Sequence, residues 1–417
     1  MLAASSPTLL LKDVSVARLF VARVAGNAGD GFGQIALSFG ALHLGYGATG
    51  LSAVVACKTA PTLLVVAGGL AGDRCRRHRV MASAEILAAG AWTGLAACFL
   101  LGAAPLAVVC GLAALSGLAR SLLLPAERGI VADLVHGEDR RAANALLGQS
   151  VAAGLLTGLV LSGAVVAAAG PGWAAAIKAG TSALGAVLLR RLRTPQWRRD
   201  RRPGVMTDLG AGWREFTSTQ WVWVLTAQFT AVAVAVTAFS AVLGPLYMAQ
   251  GHGGPGGWGM VAGLEAAGAL AGGVVAARWR PARPVLAMAL LPATAATPLL
   301  LTGAGATWWT LALVSPVPGA CQTIYGVLWT TTVQATFPPQ VLARVNSWNL
   351  LGGFAFTPAA VLVAGPLSSG LGVTTTTLGA AALVIAATLA TLTSTQVRHL
   401  HTEPPDSTTS AATPAAP

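Results

Sequence analysis

The chain has 417 residues, of which 54% are hydrophobic and only 10% charged, with a mean hydropathy of +0.68; a soluble domain carries about 25% charged residues, so most of this surface has to face lipid. The formal net charge of +12 raises nucleic-acid binding as a class. That class is excluded, because the basic residues sit in short breaks between apolar runs and no stretch is polar enough to form a base-reading module.

A spanning helix needs about 20 mostly apolar residues. Twelve runs qualify: 16–41, 49–71, 80–102, 105–126, 142–169, 172–190, 219–249, 256–277, 284–303, 307–335, 344–366 and 371–396. The first carries Arg23 and Asp30 with no small-residue cleavage site behind it, so it reads as a retained helix and not a signal peptide. Between the sixth and seventh runs lies a long, arginine-rich polar interval. The expected organisation is an all-α membrane protein of twelve transmembrane helices: a tail over 1–15, a six-helix bundle over 16–190, a linker over 191–218, a second six-helix bundle over 219–397, and a Pro-, Ser- and Thr-rich disordered tail over 398–417.

Loop charge predicts orientation, since Lys and Arg are retained on the cytoplasmic side. Arg74, Arg76, Arg77 and Arg79 fall in the second loop, Arg140 and Arg141 in the fourth, a run from Arg190 to Arg202 in the sixth, and Arg278, Arg280 and Arg283 in the eighth. The odd-numbered loops hold no Lys or Arg. Both termini are therefore expected in the cytoplasm, and the membrane is expected to be the plasma or inner membrane. The segment GGLAGDRCRRHRVM from Gly68 recurs as GGVVAARWRPARPV from Gly272, an offset of 204 residues. Two halves in the same orientation, related by an axis along the membrane normal, make a transporter architecture with its binding site between them.

Charges inside a bilayer cost at least about 2.5–3.5 kcal/mol each, which makes them functional candidates. Arg23, Asn27, Asp30 and Gln34 recur at intervals that place them on one face of the first helix. Lys58, Arg120 and Glu265 are deep in the second, fourth and eighth runs and, with Asp30, are expected to line a central cavity. Lys178 and Glu85 read as close enough to an interface to snorkel, as Arg23 does. Tyr325 and Trp329, four apart in the tenth run, are the aromatic candidates for a substrate wall. Cys57, Cys75, Cys98, Cys110 and Cys321 have no paired spacing and read as small core residues.

The segment from Gly68 resembles the signature loop between helices two and three of the major facilitator superfamily, with Gly69, Asp73, Arg74, Arg77 and Arg79 at matching places, Arg76 in place of a glycine and Ala71 in place of a leucine. Within it the chain resembles the macrolide and multidrug efflux branch. That likeness rests on A-R-x-x-G-N-x-G-D from Ala22 to Asp30, K-x-x-P from Lys58, P-A-E-R from Pro125, A-A-N-A-L from Ala142 and R-V-x-S from Arg344. It implies twelve helices over about residues 14 to 397, with Asp73 and Arg77 bracing the outward-facing state. Arg77 would reach an acid at the end of helix four, for which Glu127 and Asp133 are candidates. The antiporter glycine motif of helix five is reduced to Gly154 and Gly158 and lacks its proline, which leaves export and import both open.

Rival mechanisms fail on residues. Lys12, Lys58 and Lys178 are each preceded by an apolar residue or cysteine, so none is the lysine of a phosphate loop G-x-x-x-x-G-K-[ST]. No H-E-x-x-H or G-x-S-x-G occurs, and no cofactor or metal is expected. The expectation is a monomeric, proton-coupled exporter of a small amphipathic or hydrophobic compound, with import by proton symport as the alternative and an intramembrane enzyme behind it. Asp30 is the expected proton-coupling residue and Glu265 the second choice; a static Asp30–Arg23 ion pair is the structural alternative.

Overall fold

The computed structural model describes residues 13–64, 76–134, 139–192, 216–337 and 355–399, with single positions between 342 and 353, and leaves aside the side chains at 64, 128, 129, 132, 133, 139–142, 144–146 and 399. The described residues contain helices and no strand. Helix α1 (Val14–His43) starts at Asp13, whose carboxylate accepts from the Ser15 and Val16 amides at 2.7 and 3.2 Å, satisfying donors that a helix start leaves orphaned. Helix α2 (Gly47–Thr59) gives way to a 3-10 turn at Ala60–Leu64, where Pro61 removes an amide donor from the ladder. Residues 65–71 of the second predicted run lie outside the described residues.

Helices α3 (Arg77–Leu101), α4 (Leu106–Leu134), α5 (Asp139–Ala169) and α6 (Pro171–Arg190) complete the first half. The second half begins with α7 (Gln220–Ala249), which contains a π turn at Phe239–Leu243, and α8 (Gly254–Arg278). It continues with α9 (Pro284–Gly303), which has a 3-10 turn around Pro292, and α10 (Trp308–Thr336), interrupted before Pro316. It closes with α11 (Thr357–Leu371), α12 (Val373–Leu392) and the short α13 (Thr395–His399). Among the described residues nine segments are long and apolar enough to cross a membrane, and α11 is a shorter apolar helix. With α1 and α2 these are the twelve expected segments. The eleventh differs from its predicted end at 366: Pro366 is accommodated inside α11, and the turn falls at Gly372, whose φ of 86° suits only a residue without a Cβ.

The repeat read from the signature loop recurs in contacts far from it. The Tyr46 hydroxyl donates to the Ala104 carbonyl at 2.6 Å, and the Tyr247 hydroxyl donates to the Ala306 carbonyl at 2.7 Å, each tying one far-end loop of its half to the next. Gly117 on α4 lies against the Lys58 carbonyl of α2, while Gly319 on α10 lies against the Glu265 carbonyl of α8. Small residues at equivalent crossings let the backbones touch in both halves.

Packing divides the molecule into two ends. One cluster, including Ile35, Leu51, Trp92 and Val109 of the first half with Val242, Met248, Trp258 and Val361 of the second, joins the halves at the end away from the termini. At the end that carries the termini the cores are separate: Leu19, Met81, Ile130 and Leu189 in one half, Trp221, Val285, Leu328 and Val333 in the other. The far end is also stitched by Ser38 Oγ, which donates to the Ala241 carbonyl at 3.2 Å, and by the Thr49 and Ser369 hydroxyls, 3.3 Å apart. At that end Gly163 of α5 and Gly259 of α8 meet backbone to backbone.

A Cβ on Gly259 would fall 2.7 Å from the Gly163 Cα and 2.9 Å from the Leu159 carbonyl, so backbone would have to move to admit it. Gly259→Val is expected to part the halves at this end and expose Ser38, which is 3% accessible here. Maleimide labelling of a Ser38→Cys reporter should rise several-fold in the Gly259→Val background; unchanged labelling would show that the glycine pair does not hold the far end shut.

Candidate functional site

A cavity of about 440 Å³ is walled by α1 to α6, with Ser240 and Ala241 of α7 closing it from the second half. Asn27, Asp30 and Gln34 of α1 face it, as the helical spacing predicts, together with Lys58 of α2, Glu85 and Trp92 of α3, Arg120 of α4 and Lys178 of α6. Leu37, Val55, Ala88 and Leu155 supply the apolar part of the wall. Such a mix of apolar wall and few convergent polar groups is the usual form of a small-molecule site.

The charges form a connected chain. Lys178 Nζ donates to Asp30 Oδ1 at 2.8 Å, and Arg120 approaches Asp30 Oδ2 at 3.4 Å. Arg120 also lies 3.8 Å from Glu127, which is ion-paired with Arg23. Asp30 therefore bridges α6 and α4, and Glu127 ties α4 to α1. The partner that sequence depth suggested for Asp30, Arg23, is taken by Glu127 instead. Asn27 Nδ2 donates to the Arg23 carbonyl at 2.7 Å within its own helix.

Close packing makes the Lys178 contact possible. A Cβ at Gly29 would lie 3.0 Å from the Lys178 Cδ and collide with Thr181, so α1 and α6 approach through the missing side chain. Lys178 is 5% accessible and is buried against α1, whereas its place in the run suggested that it reaches toward an interface. Glu85 likewise lies eight residues inside α3, because that helix starts at Arg77, and is 6% accessible. Its carboxyl fits between Gly26 of α1 and Gly185 of α6. One signal for both was available in the sequence: Lys178, Ser182 and Gly185 share one helical face, and all three are buried.

Lys58 stands apart from this chain. Its ammonium lies 5.5 Å from the centroid of the Trp92 ring, a cation–π contact, with no carboxylate within ion-pair distance among the described residues.

Other expected site residues fall elsewhere. Glu265, half-buried on α8, is not among the residues lining this cavity. Tyr325 and Trp329 stack at 6.3 Å and pack with Phe229 and Trp221 in the separate core of the second half, each 5% accessible. Their shared helical face points into packing between α7, α9 and α10. Of the signature loop, Arg77 is the first residue of α3, whereas Gly69, Asp73 and Arg74 lie outside the described residues, as does the side chain of Asp133. Glu127, offered as a partner for Arg77, carries the Arg23 and Arg120 pairs just given. Among the described residues no group of three or more His, Cys, Asp or Glu side chains could hold a metal.

The comparisons with known proteins agree with this architecture. The family model described as Major Facilitator Superfamily matches residues 19–360. No curated protein matches the chain in sequence. Among solved structures, a point mutant of the nucleoside transporter NupG superposes with a TM-score of 0.74 at 12% identity, covering 91% of this chain and 99% of that one. A bacterial homolog of the human lysosomal transporter Spinster, inward-facing and unoccupied, gives 0.65 at 15% identity over 94% and 99%. A POT family transporter in complex with 5-aminolevulinic acid gives 0.69 at 14% identity over 91% and 95%. At these identities the likeness is one of fold.

The pairing makes a measurable claim. Removing one partner of a fully buried ion pair costs about 3–5 kcal/mol; the Asp30 side chain is 31% exposed, so Lys178→Met should cost less than that. Combining it with Asp30→Asn should recover part of the loss, since Asp30 is then no longer a charge missing Lys178 and Arg120 still has Glu127 at 3.8 Å. Thermal unfolding of the purified single and double variants tests this; strictly additive losses would mean that the two residues do not act as a pair.

Proposed function

Since the chain belongs to the major facilitator superfamily and is a secondary transporter of the membrane, we propose that it exports a small amphipathic compound in exchange for protons, binding it in the cavity around Asp30. The observation that carries this reading is Asp30 itself, a carboxylate open to the cavity and held by cations from two other helices. Protonating Asp30 removes the charge that Lys178 and Arg120 hold, so the contacts between α1, α4 and α6 loosen. A change in packing tied to one proton is what coupling requires. A cationic amphipathic molecule entering beside Asp30 competes with the proton for that carboxylate. Competition of this kind gives antiport.

The orientation follows from loop charge: the arginine-bearing end, with both termini, faces the cytoplasm, and the halves are separated at that end and joined at the other, an inward-facing arrangement. On this reading the substrate enters from the cytoplasm or the inner leaflet, the protein lies in the plasma membrane, and one chain suffices. Asp73 and Arg77 brace the opposite, outward-facing state, as the resemblance of the signature loop implies.

A second reading has its own observation. Lys58 has no carboxylate within ion-pair distance among the described residues, and Arg120, with 39% of its side chain exposed, also faces the cavity. An anionic substrate drawing Arg120 away from Asp30 would make protonation of Asp30 easier, which is symport. The sign of coupling separates the two.

In a pump-deficient host, expression should raise tolerance to members of a panel of amphipathic drugs. In vesicles holding such a drug, a pH gradient should drive its accumulation by the wild type and not by Asp30→Asn at equal expression. Accumulation that persists in Asp30→Asn would remove Asp30 as the coupling site. Accumulation only when drug and protons move in the same direction would select symport.

A further inference from the structure

A second cavity, about 590 Å³, lies between the ends of α3 and α6 on the side of the termini. It is lined by Arg76, His78, Arg79 and Ser83 at the start of α3 and by Arg190 and Leu192 at the end of α6, with Ala82 and Ile86 beneath. Among the described residues its lining holds no acid. Arg76, Arg79 and Arg190 are exposed, and none of them has a carboxylate within ion-pair distance among the described residues.

Fixing topology requires positive charge in a loop; it does not require three guanidiniums converging on one hollow between two helices. The hollow also opens beside exposed apolar side chains on the same two helices: Ile86 on α3, at 50% accessibility, and Leu184 and Val187 on α6, at 45% and 50%. Ile86 lines the pocket itself and Val187 precedes Arg190 by about one turn, so cations and exposed apolar side chains lie side by side. Arg76, at the start of α3, makes no side-chain capping hydrogen bond.

We propose that this pocket binds the phosphate of an anionic phospholipid, with the guanidiniums of Arg76, Arg79 and Arg190 holding the headgroup and Ile86, Leu184 and Val187 contacting its acyl chains. Arginine matches phosphate with paired N–H donors, and basic hollows between membrane helices on the cytoplasmic side are sites of this chemistry. A soluble phosphate compound would satisfy the arginines and leave the apolar flank unused. The lipid uses both. Because Arg76 and Arg79 belong to the same loop as Asp73 and Arg77, a bound headgroup would rest on the segment that the transport cycle is proposed to move. The binding claim stands independently of what the transporter carries and in which direction.

The test uses the full chain in detergent micelles doped with phosphatidylglycerol, phosphatidylcholine or neither, with inorganic phosphate as a separate arm. Native mass spectrometry should show the wild type keeping phosphatidylglycerol in preference to phosphatidylcholine, each arginine near the headgroup contributing about fivefold. Replacing Arg76, Arg79 and Arg190 with Gln should bring the two lipids to near-equal retention, whereas replacing Arg79 and Arg190 with Lys should keep most of the preference. Removing Arg278, Arg280 and Arg283 from the equivalent loop of the second half serves as the control of equal charge, and it should leave the preference intact. Circular dichroism identifies any variant that has lost its helices, and the lysine variants then carry the comparison. Equal loss in the control would overturn the site in favour of general surface charge, as would equal retention of both lipids by the wild type. Thermal stabilisation by millimolar inorganic phosphate matching that of phosphatidylglycerol would overturn lipid as the source.

Discussion

A carboxylate on the first membrane helix sets the terms for the first half of this protein. Asp30 is costly to place among apolar helices, and the cost is offset by Lys178 at 2.8 Å and Arg120 at 3.4 Å from two other helices. Those cations need Asp30 as much as it needs them, so α1, α4 and α6 are tied to one another at this carboxylate. Arg120 extends the chain to Glu127 and through it to Arg23. The apolar packing around this network keeps it partly dry; the cavity keeps one side of it wet. In the proposed mechanism this network defines one state and is changed by a proton or a ligand.

The two ends of the molecule use different means. Away from the termini the halves share one apolar cluster, with glycines of α5 and α8 in backbone contact. Near the termini each half has its own cluster, and among the described residues the two do not join. A shared cluster at one end and separate clusters at the other suit two bundles that rock against each other. The repeat that relates the halves is carried by small features, such as the matched tyrosine-to-carbonyl bonds of Tyr46 and Tyr247, more than by charge. The charges of the cavity belong to the first half almost alone, while Glu265, the deep acid of the second half, stands outside the cavity.

Fold class was legible because twelve apolar runs and loop charge report directly on the solvent around the chain. Helical spacing groups Asn27, Asp30 and Gln34, which line the cavity, whereas Arg23 of the same stripe lies outside that lining and pairs with Glu127. Which charge pairs with which was not legible. Depth counted along a run misplaced Lys178 and Glu85, because it depends on where each helix starts and on how closely its neighbour approaches. The approach of α1 to α6 rests on Gly29, one of 50 glycines in the chain. Depth also says nothing about direction around the helix axis, so Tyr325 and Trp329 look like a substrate wall in sequence and are packed into the second half's core in space. Arg76 and Arg79 read as topology signals until Arg190, more than a hundred residues away, is seen to close the same pocket.

The central claim is that protonation of Asp30 shifts the balance between the two arrangements of the bundles. Spin labels at Val14 of the first half and Trp279 of the second, both exposed and both near the terminal end, report the distance across the opening. Measured by pulsed electron paramagnetic resonance in nanodiscs over a pH series, the wild type should redistribute between a long and a short distance as protons bind. Asp30→Asn, which mimics the protonated side chain, should give one distribution at every pH. A wild-type distribution that ignores pH, or an Asp30→Asn variant that titrates as the wild type does, would contradict the account.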